Sequence, residues 1–388
     1  MTTQKRNLMT ASRQWAERPA DERFWTLQEL YDRTKEYAEQ SKVKTLPLGA
    51  CKVLPTNDGD LLLQGPTGGQ AQFQHYSFGQ LSTICQAPAS YLRQLPAPLA
   101  AGCLNEGLSH VSGDSTLLFH QNGGLHLRCV TSDQYKRIWN YEIADLALAL
   151  SDQEGWVVPP ARPCGLEGIP TRIATQEDVL KHSSHAGLGI QVGDTISPAG
   201  LYASDHDCFI FQVNEHYPID GGDGEMMYRG VFWSNSEVGA ARFRGTMFLY
   251  DTVCGNHIVW GAKILAEVSI RHTGEARRMF AQAMATVTER TQRSALDDES
   301  RIKTAKGHEL GKSKDGIVTL IFGKQLGLTR GECIDAYAIA EKCEDDHGGN
   351  PRSAWGFAAG VTRLSQGQFA DTRDRMDRAA GRILELAF

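Results

Sequence analysis

Between Tyr228 and Ala262 the chain reads YRGVFWSNSEVGAARFRGTMFLYDTVCGNHIVWGA, short apolar and aromatic runs broken by residues that strands avoid. Asn235, Ser236 and Glu237 interrupt the first two runs, and Cys254-Gly255-Asn256-His257 closes the next. Asn and Gly are depleted in strands, so here they mark turns, bulges or a backbone that something approaches closely. Further runs precede and follow: Leu188–Val192, Gly200–Ala203, Cys208–Val213, Met226–Trp233, Phe243–Tyr250, Ile258–Ala262 and Glu267–Ile270. Strands joined by turn-sized spacers predict a mainly antiparallel sheet.

Upstream, Asp21 is placed to cap an amphipathic helix carrying Phe24, Leu27, Leu30, Tyr31 and Tyr37. Ser115–His120 and Leu125–Val130 flank Asn122-Gly123, a hairpin signature. Ser132 or Asp133 is placed to cap a helix over Tyr135–Leu150. Two short helical patterns over residues 77–95 suggest a helical hairpin packed on a sheet. Arg93 and Gln94 are too few polar donors for a DNA recognition helix there. A long helix begins at Thr273 or Gly274, with Ala276, Phe280, Ala283 and Val287 on its buried side, and helical patterns fill the rest. The expected fold is α+β: a mainly antiparallel sheet with a long packed helix, then a helical C-terminal unit. The expected organisation is an arm over 1–20, an α+β domain over 21–313 with a loop insertion at about 151–185, and helices over 314–388.

The 388 residues are 41% hydrophobic with a net charge of −6, which excludes a globally basic coat protein but not a local basic face. Between Arg271 and Lys314 the local balance is +4. No apolar run approaches the ~20 residues of a membrane span, and MTTQKRNLMTASRQW lacks a signal-peptide core. The expected address is the host-cell cytoplasm. Nine scattered cysteines without a Cys-x-x-Cys fit reduced thiols better than disulfides or zinc.

Readable catalytic motifs are missing: there is no Gly-x-Ser-x-Gly, P-loop, His-Glu-x-x-His or Rossmann glycine pattern. The enzyme reading therefore stays secondary. It rests on Asp205 and Asp207, which share a face in an extended chain and with Glu237 or Asp251 would hold magnesium or manganese for phosphoryl transfer. The plainer reading of Ser204–Asp207 is a polar turn, with no metal and no cofactor.

A basic and aromatic set points elsewhere. Arg229, Phe232, Trp233, Arg242, Arg244, Tyr250 and Trp260 fall in the strand-rich region, and Arg271, Arg277 and Arg278 follow it. Single-stranded nucleic acid is held by a positive groove along its phosphates and aromatic faces under its bases. Alternation puts Arg242 and Arg244 on one face, opposite Phe243. Asn235, Asn256 and His257 complete the candidate binding set as a polar cluster at the sheet edge. The competing reading makes the rings core and the asparagines local backbone partners.

Leu127-Arg128, Ser132 to Tyr135, Asn235-Ser236-Glu237-x-Gly239, Cys254-x-Asn256 and Ile270-Arg271-His272-Thr273-Gly274 carry a resemblance. Together they resemble the phage- and plasmid-borne family known as domain of unknown function nine-thirty-two, over roughly residues 60–280. Members usually have Asn-Gly after the cysteine where this chain has Asn256-His257. The resemblance implies a setting beside replication, recombination and repair genes of mobile elements. At fold level, a sheet followed by a long helix is also similar to phage single-strand annealing proteins. The combined expectation is a homo-oligomeric single-stranded-DNA-binding protein that aids annealing or recombination. The alternatives are the metal-dependent phosphodiester enzyme and a regulatory protein-interaction module.

Overall fold

The computed structural model describes residues 23–153, 155–158, 171–176, 191–196, 200–204, 207–222, 225–251, 257–258, 267–270, 276–292, 295–342, 349–365, 368 and 370–388. The expected arm over 1–20 and most of the stretch 151–185 lie outside the described residues. The architecture is α+β, with two principal sheets and a helical C-terminal region.

The first sheet has six strands, β1 (Ser41–Pro47), β2 (Lys52–Pro55), β3 (Leu61–Gln64), β4 (Gln70–Phe73), β5 (Asp114–Gln121) and β6 (Leu125–Ser132), in the order β1-β5-β6-β4-β3-β2. All pairs are antiparallel except β4 with β6. Helices His75–Ile84, Ala89–Leu92 and Ala97–Ser109 belong to its layer, with Phe78, Leu81, Leu92 and Leu104 in one core with Leu63, Leu117 and Leu127. Residues 77–95 are thus a packed helical layer. Arg93 donates to the His75 carbonyl at 3.1 Å and its guanidinium lies over the Phe78 ring.

The edges of this sheet are handled differently. At β2, the Asn105 side chain acts as a short surrogate strand: its Oδ1 accepts from Val53 N at 2.7 Å and its Nδ2 donates to Val53 O at 2.9 Å. At β1, Lys42 and Lys44 are exposed, a common device against edge-to-edge pairing.

The second sheet follows the order β10 (Leu201–Ala203), β11 (Cys208–Gly222), β12 (Glu225–Asn235), β13 (Phe243–Asp251), β14 (His257–Ile258). Strand β15 (Glu267–Ile270) also pairs with β13, and β7 (Trp156–Val157) with β11, while β8 (Arg172–Ile173) and β9 (Thr195–Ile196) form a separate antiparallel pair. One face carries Ile210, Val231, Trp233, Phe243, Met247 and Leu249. These share a core with the helices Asn140–Ser151 and Ala276–Gln292, and with Ile317, Trp355, Phe357, Met376 and Ile383 of the C-terminal helices.

Two expected helix starts shift. Thr26, not Asp21, caps the first helix, Leu27–Glu39: its Oγ1 accepts from Glu29 N at 3.1 Å, and the Glu29 carboxylate accepts from Thr26 N. Phe24 lies before the helix, its N–H donating to Leu201 O at 3.2 Å. The helix expected from Tyr135 begins at Asn140, because Tyr135 and Arg137 are engaged elsewhere.

Two glycines explain how β12 and β13 carry such large rings. Gly245 is the register partner of Trp233, and a Cβ there would lie 2.3 Å from the indole. Gly230 is the partner of Phe248, and a Cβ there would also lie 2.3 Å from that ring. Each glycine seats the ring of the opposite strand, one on each face.

Candidate functional site

Alternation along β10 to β13 places Tyr202, Phe209, Phe211, Phe232 and Phe248 on the face opposite the main core. Their rings form a continuous row. Centroid separations are 5.8 Å for Tyr202–Phe209, 5.3 Å for Phe209–Phe232, 4.4 Å for Phe211–Phe232 and 6.0 Å for Phe211–Phe248. Phe209 and Phe232 are parallel within 5°. Phe209, Phe211 and Phe232 are half-buried, so solvent reaches part of each ring, whereas Tyr202, Tyr228 and Phe248 are buried.

Cations stand on β13, just before it, and on a helix that reaches it. Arg242 is exposed in the turn before β13, and half-buried Arg244 is the register partner of Ser234. Arg378, on the helix Ala370–Leu384, donates to Thr246 Oγ1 at 3.3 Å. Sequence reasoning missed Arg378, because 132 residues separate it from Thr246 and no local pattern links them. It also placed Phe232 in the basic and aromatic set without Phe209 and Phe211, which the pairing of β11 with β12 brings beside it.

The structure splits the remaining candidates. Trp233 is fully buried on the core face, stacked on Phe243, with Nε1 donating to Gln212 Oε1 at 3.0 Å. It has no face to offer a base. Arg229 is only 2% exposed. Its Nη2 lies 2.7 Å from Asp298 Oδ2, and its Nη1 donates to Thr291 O. It ties β12 to two helices and is withdrawn from any phosphate. Asp205, Asn256 and Arg271 lie outside the described residues, as do the side chains of His257, Arg277 and Arg278.

Asn235 and Glu237 belong to a buried polar junction between the sheets. Asn235 Nδ2 donates to Ile138 O at 3.0 Å and Asn140 Oδ1 at 2.8 Å. Glu237, 1% exposed, accepts from Asn140 N on Oε1 at 2.7 Å and pairs Oε2 with Arg128 Nη2 at 2.9 Å. Tyr135 Oη donates to Ser236 O at 3.1 Å, and Arg137 Nη1 donates to Glu237 O. The Arg137 guanidinium lies between the Tyr135 and Trp139 rings. Burial pushes the Tyr135 phenol well above its usual range. Gln80 closes the junction, donating to Val238 O at 2.7 Å and accepting from Val130 N at 2.9 Å.

A β-bulge makes this possible. Leu118 pairs with Cys129 but Phe119 pairs with Leu127, so Arg128 is the extra residue on β6. A bulge re-aims side chains. Cys129 accordingly packs with Leu118 and Val238 while Arg128 reaches Glu237. Two pieces of the resemblance, Leu127-Arg128 and Asn235-Ser236-Glu237, thus meet in space as structural partners.

The metal alternative required an open carboxylate cluster. Both Glu237 oxygens are committed, and Asp207 is buried in a turn, accepting from Ser204 Oγ on Oδ1 at 2.5 Å. Among the described residues no group of three His, Cys, Asp or Glu is placed to hold a metal ion, and no helix is long and apolar enough to cross a membrane. Cys51, Cys85, Cys129, Cys208 and Cys333 are buried free thiols, and Cys103 is an exposed one. Burial pushes the Cys85 and Cys333 thiols up to about 11.

No family model matches the chain, and no curated protein or solved structure matches it.

Proposed function

We propose that this protein binds single-stranded DNA across the second face of its seven-stranded sheet, without base chemistry. The observation that carries the reading is the row of half-buried Phe209, Phe232 and Phe211, with Arg244 on the neighbouring strand β13 as the register partner of Ser234 and Arg242 exposed just before that strand. Aromatic faces stack bases of any identity, while arginines track phosphates. The resemblance of residues 234–239 to proteins carried beside recombination genes supports the same reading and extends it to annealing.

The test is a fluorescence-anisotropy titration with single- and double-stranded oligonucleotides at several salt concentrations. Log affinity for the single strand should fall with log salt, by about 0.7 per phosphate neutralised. Replacing Arg242 and Arg244 by Gln should flatten that slope by about one to one and a half units. The loss should be similar on unrelated sequences, since phosphate contacts carry no sequence information. Absence of binding by the folded protein at about 50 mM salt, where phosphate contacts are strong, overturns the proposal.

A further inference from the structure

On the ring face the register of β11, β12 and β13 sets side chains in rows that cross the strands. One row holds Phe209, Ser234 and Arg244, and the next holds Phe211, Phe232 and Thr246. In both, rings stand on the β11 side and a polar side chain stands on β13. The third row, Val213, Gly230 and Phe248, is buried and apolar, so the pattern ends after two rows.

Each of the two rows has a guanidinium on its β13 side. In the first it belongs to Arg244 itself, which is half-buried. In the second, β13 offers only the Thr246 hydroxyl, and the cation comes from the helix Ala370–Leu384. Half-buried Arg378 donates from Nη2 to Thr246 Oγ1 at 3.3 Å.

Residues two apart on a strand share a face and lie ~6.8 Å from each other. The cationic positions of the two rows repeat at about that spacing. A stacked strand carries a phosphate every ~3.4 Å along its axis, and an unstacked strand is longer, so its successive phosphates match successive rows. Within a row, rings on β11 and cations on β13 are two strand spacings apart, about 10 Å. A sugar and an arginine side chain together bridge that gap.

We propose that Arg378 is a further phosphate contact of the DNA site, and that the single strand lies along β13. Its backbone passes over Arg244 and Arg378, and its bases turn towards Phe209, Phe211 and Phe232. The inference rests on the DNA-binding reading above. It sets the footprint in these two rows at two adjacent nucleotides, and it makes a C-terminal helix part of a site otherwise built from the sheet. Contacts of this kind are sensitive to salt and blind to sequence.

The experiment titrates the full-length chain and its variants with a 20-nucleotide oligo-dT from about 50 to 300 mM salt. The variants are Arg378→Gln, Arg378→Lys, Arg244→Gln, and the double Arg244→Gln, Arg378→Gln. Arg378→Gln should flatten the log–log slope by about 0.7, the share of one phosphate, and the double variant by about 1.4. Arg378→Lys keeps the charge and should keep the parent's slope. A parent that binds and an Arg378→Gln variant with the same slope, whatever its Tm, overturn this inference while leaving the sheet-face reading intact. A double variant no shallower than Arg244→Gln alone also overturns it, because the two arginines then serve one phosphate. A parent that does not bind at all overturns both readings.

Discussion

Phe232 and Trp233 are adjacent in sequence, yet they belong to opposite faces of one sheet. Trp233 is sealed against Phe243 and hydrogen-bonded to Gln212, while Phe232 sits half-buried between Phe209 and Phe211. Both faces solve the same steric problem the same way, a glycine on the neighbouring strand beneath a ring. The difference lies in what covers them. The core face is packed by helices from both halves of the chain, whereas the other face leaves three rings partly in solvent. Aromatic content alone therefore says little about function; the face of the strand decides.

The largest effect should come from the core face. Trp233→Ala leaves a cavity above Gly245 and should cost about 3–5 kcal/mol of stability, read as a lowered denaturation midpoint. The fraction that remains folded should bind DNA as before. Weakened binding by a stably folded Trp233 variant would break the distinction between the faces.

Next comes the junction that holds β12 to the first sheet. Glu237→Gln leaves the Arg128 guanidinium buried without its counter-charge, and breaking such a pair costs about 3 kcal/mol or more. A shift of under about 0.5 kcal/mol, typical of surface changes, would mean that Arg128 finds another partner. Replacing both residues by apolar ones of similar volume should recover much of the loss.

The ring face should respond in the opposite sense. Phe232→Ala removes the central ring of the row and should cost about 1–3 kcal/mol of single-strand binding. The stability loss should be smaller than that for Trp233→Ala, since part of the ring is already in water. Equal losses of stability for the two variants would show that the second face is as much core as the first.

Much of this was legible in the chain. Alternation set Arg244 opposite Phe243, as the register of β13 has it. The runs Met226–Trp233, Phe243–Tyr250 and Glu267–Ile270 match β12, β13 and β15 within two residues. The run Cys208–Val213 instead continues to Gly222, and residues 259–262 lie outside the described residues. What could not be read has physical causes. Period-two reasoning puts Arg128 and Cys129 on opposite faces, and only the bulge against Leu118 and Phe119 brings both to the junction. Strand β1 was missed because Lys42-Val43-Lys44-Thr45 is exposed throughout and so lacks an apolar alternation. The helix start moved to Asn140 because Tyr135 and Arg137 bond the 236–237 backbone, a partnership spanning a hundred residues. Trp233 and Arg229 entered the binding set because the sequence marks residue type but not which face the helices will cover.

The smallest expected effect separates the junction from the ring face by pH. His120 on β5 is buried, stacked on Tyr37 at 4.4 Å, with Nδ1 3.4 Å from Ser41 Oγ. Arg128 also lies over the Tyr37 ring. Burial, with further contributions from the charges of Arg128, His126 and Arg33, holds the His120 pKa below its ordinary value. The unfolded chain therefore binds a proton on this residue at a higher pH than the folded one. Its contribution to stability is fully present above the ordinary histidine range, near 6.5, and is lost as the pH falls through that range towards the lower folded value. Denaturation midpoints measured from pH 7.5 to 5 should decline, and His120→Gln should make that decline shallower. Because His120 lies in the first sheet, away from the ring row, the same substitution should leave the salt dependence of DNA binding unchanged at pH 7.5. A pH profile identical in parent and variant would remove His120 from the junction's acid sensitivity, and an altered salt slope would erase the boundary between the two regions.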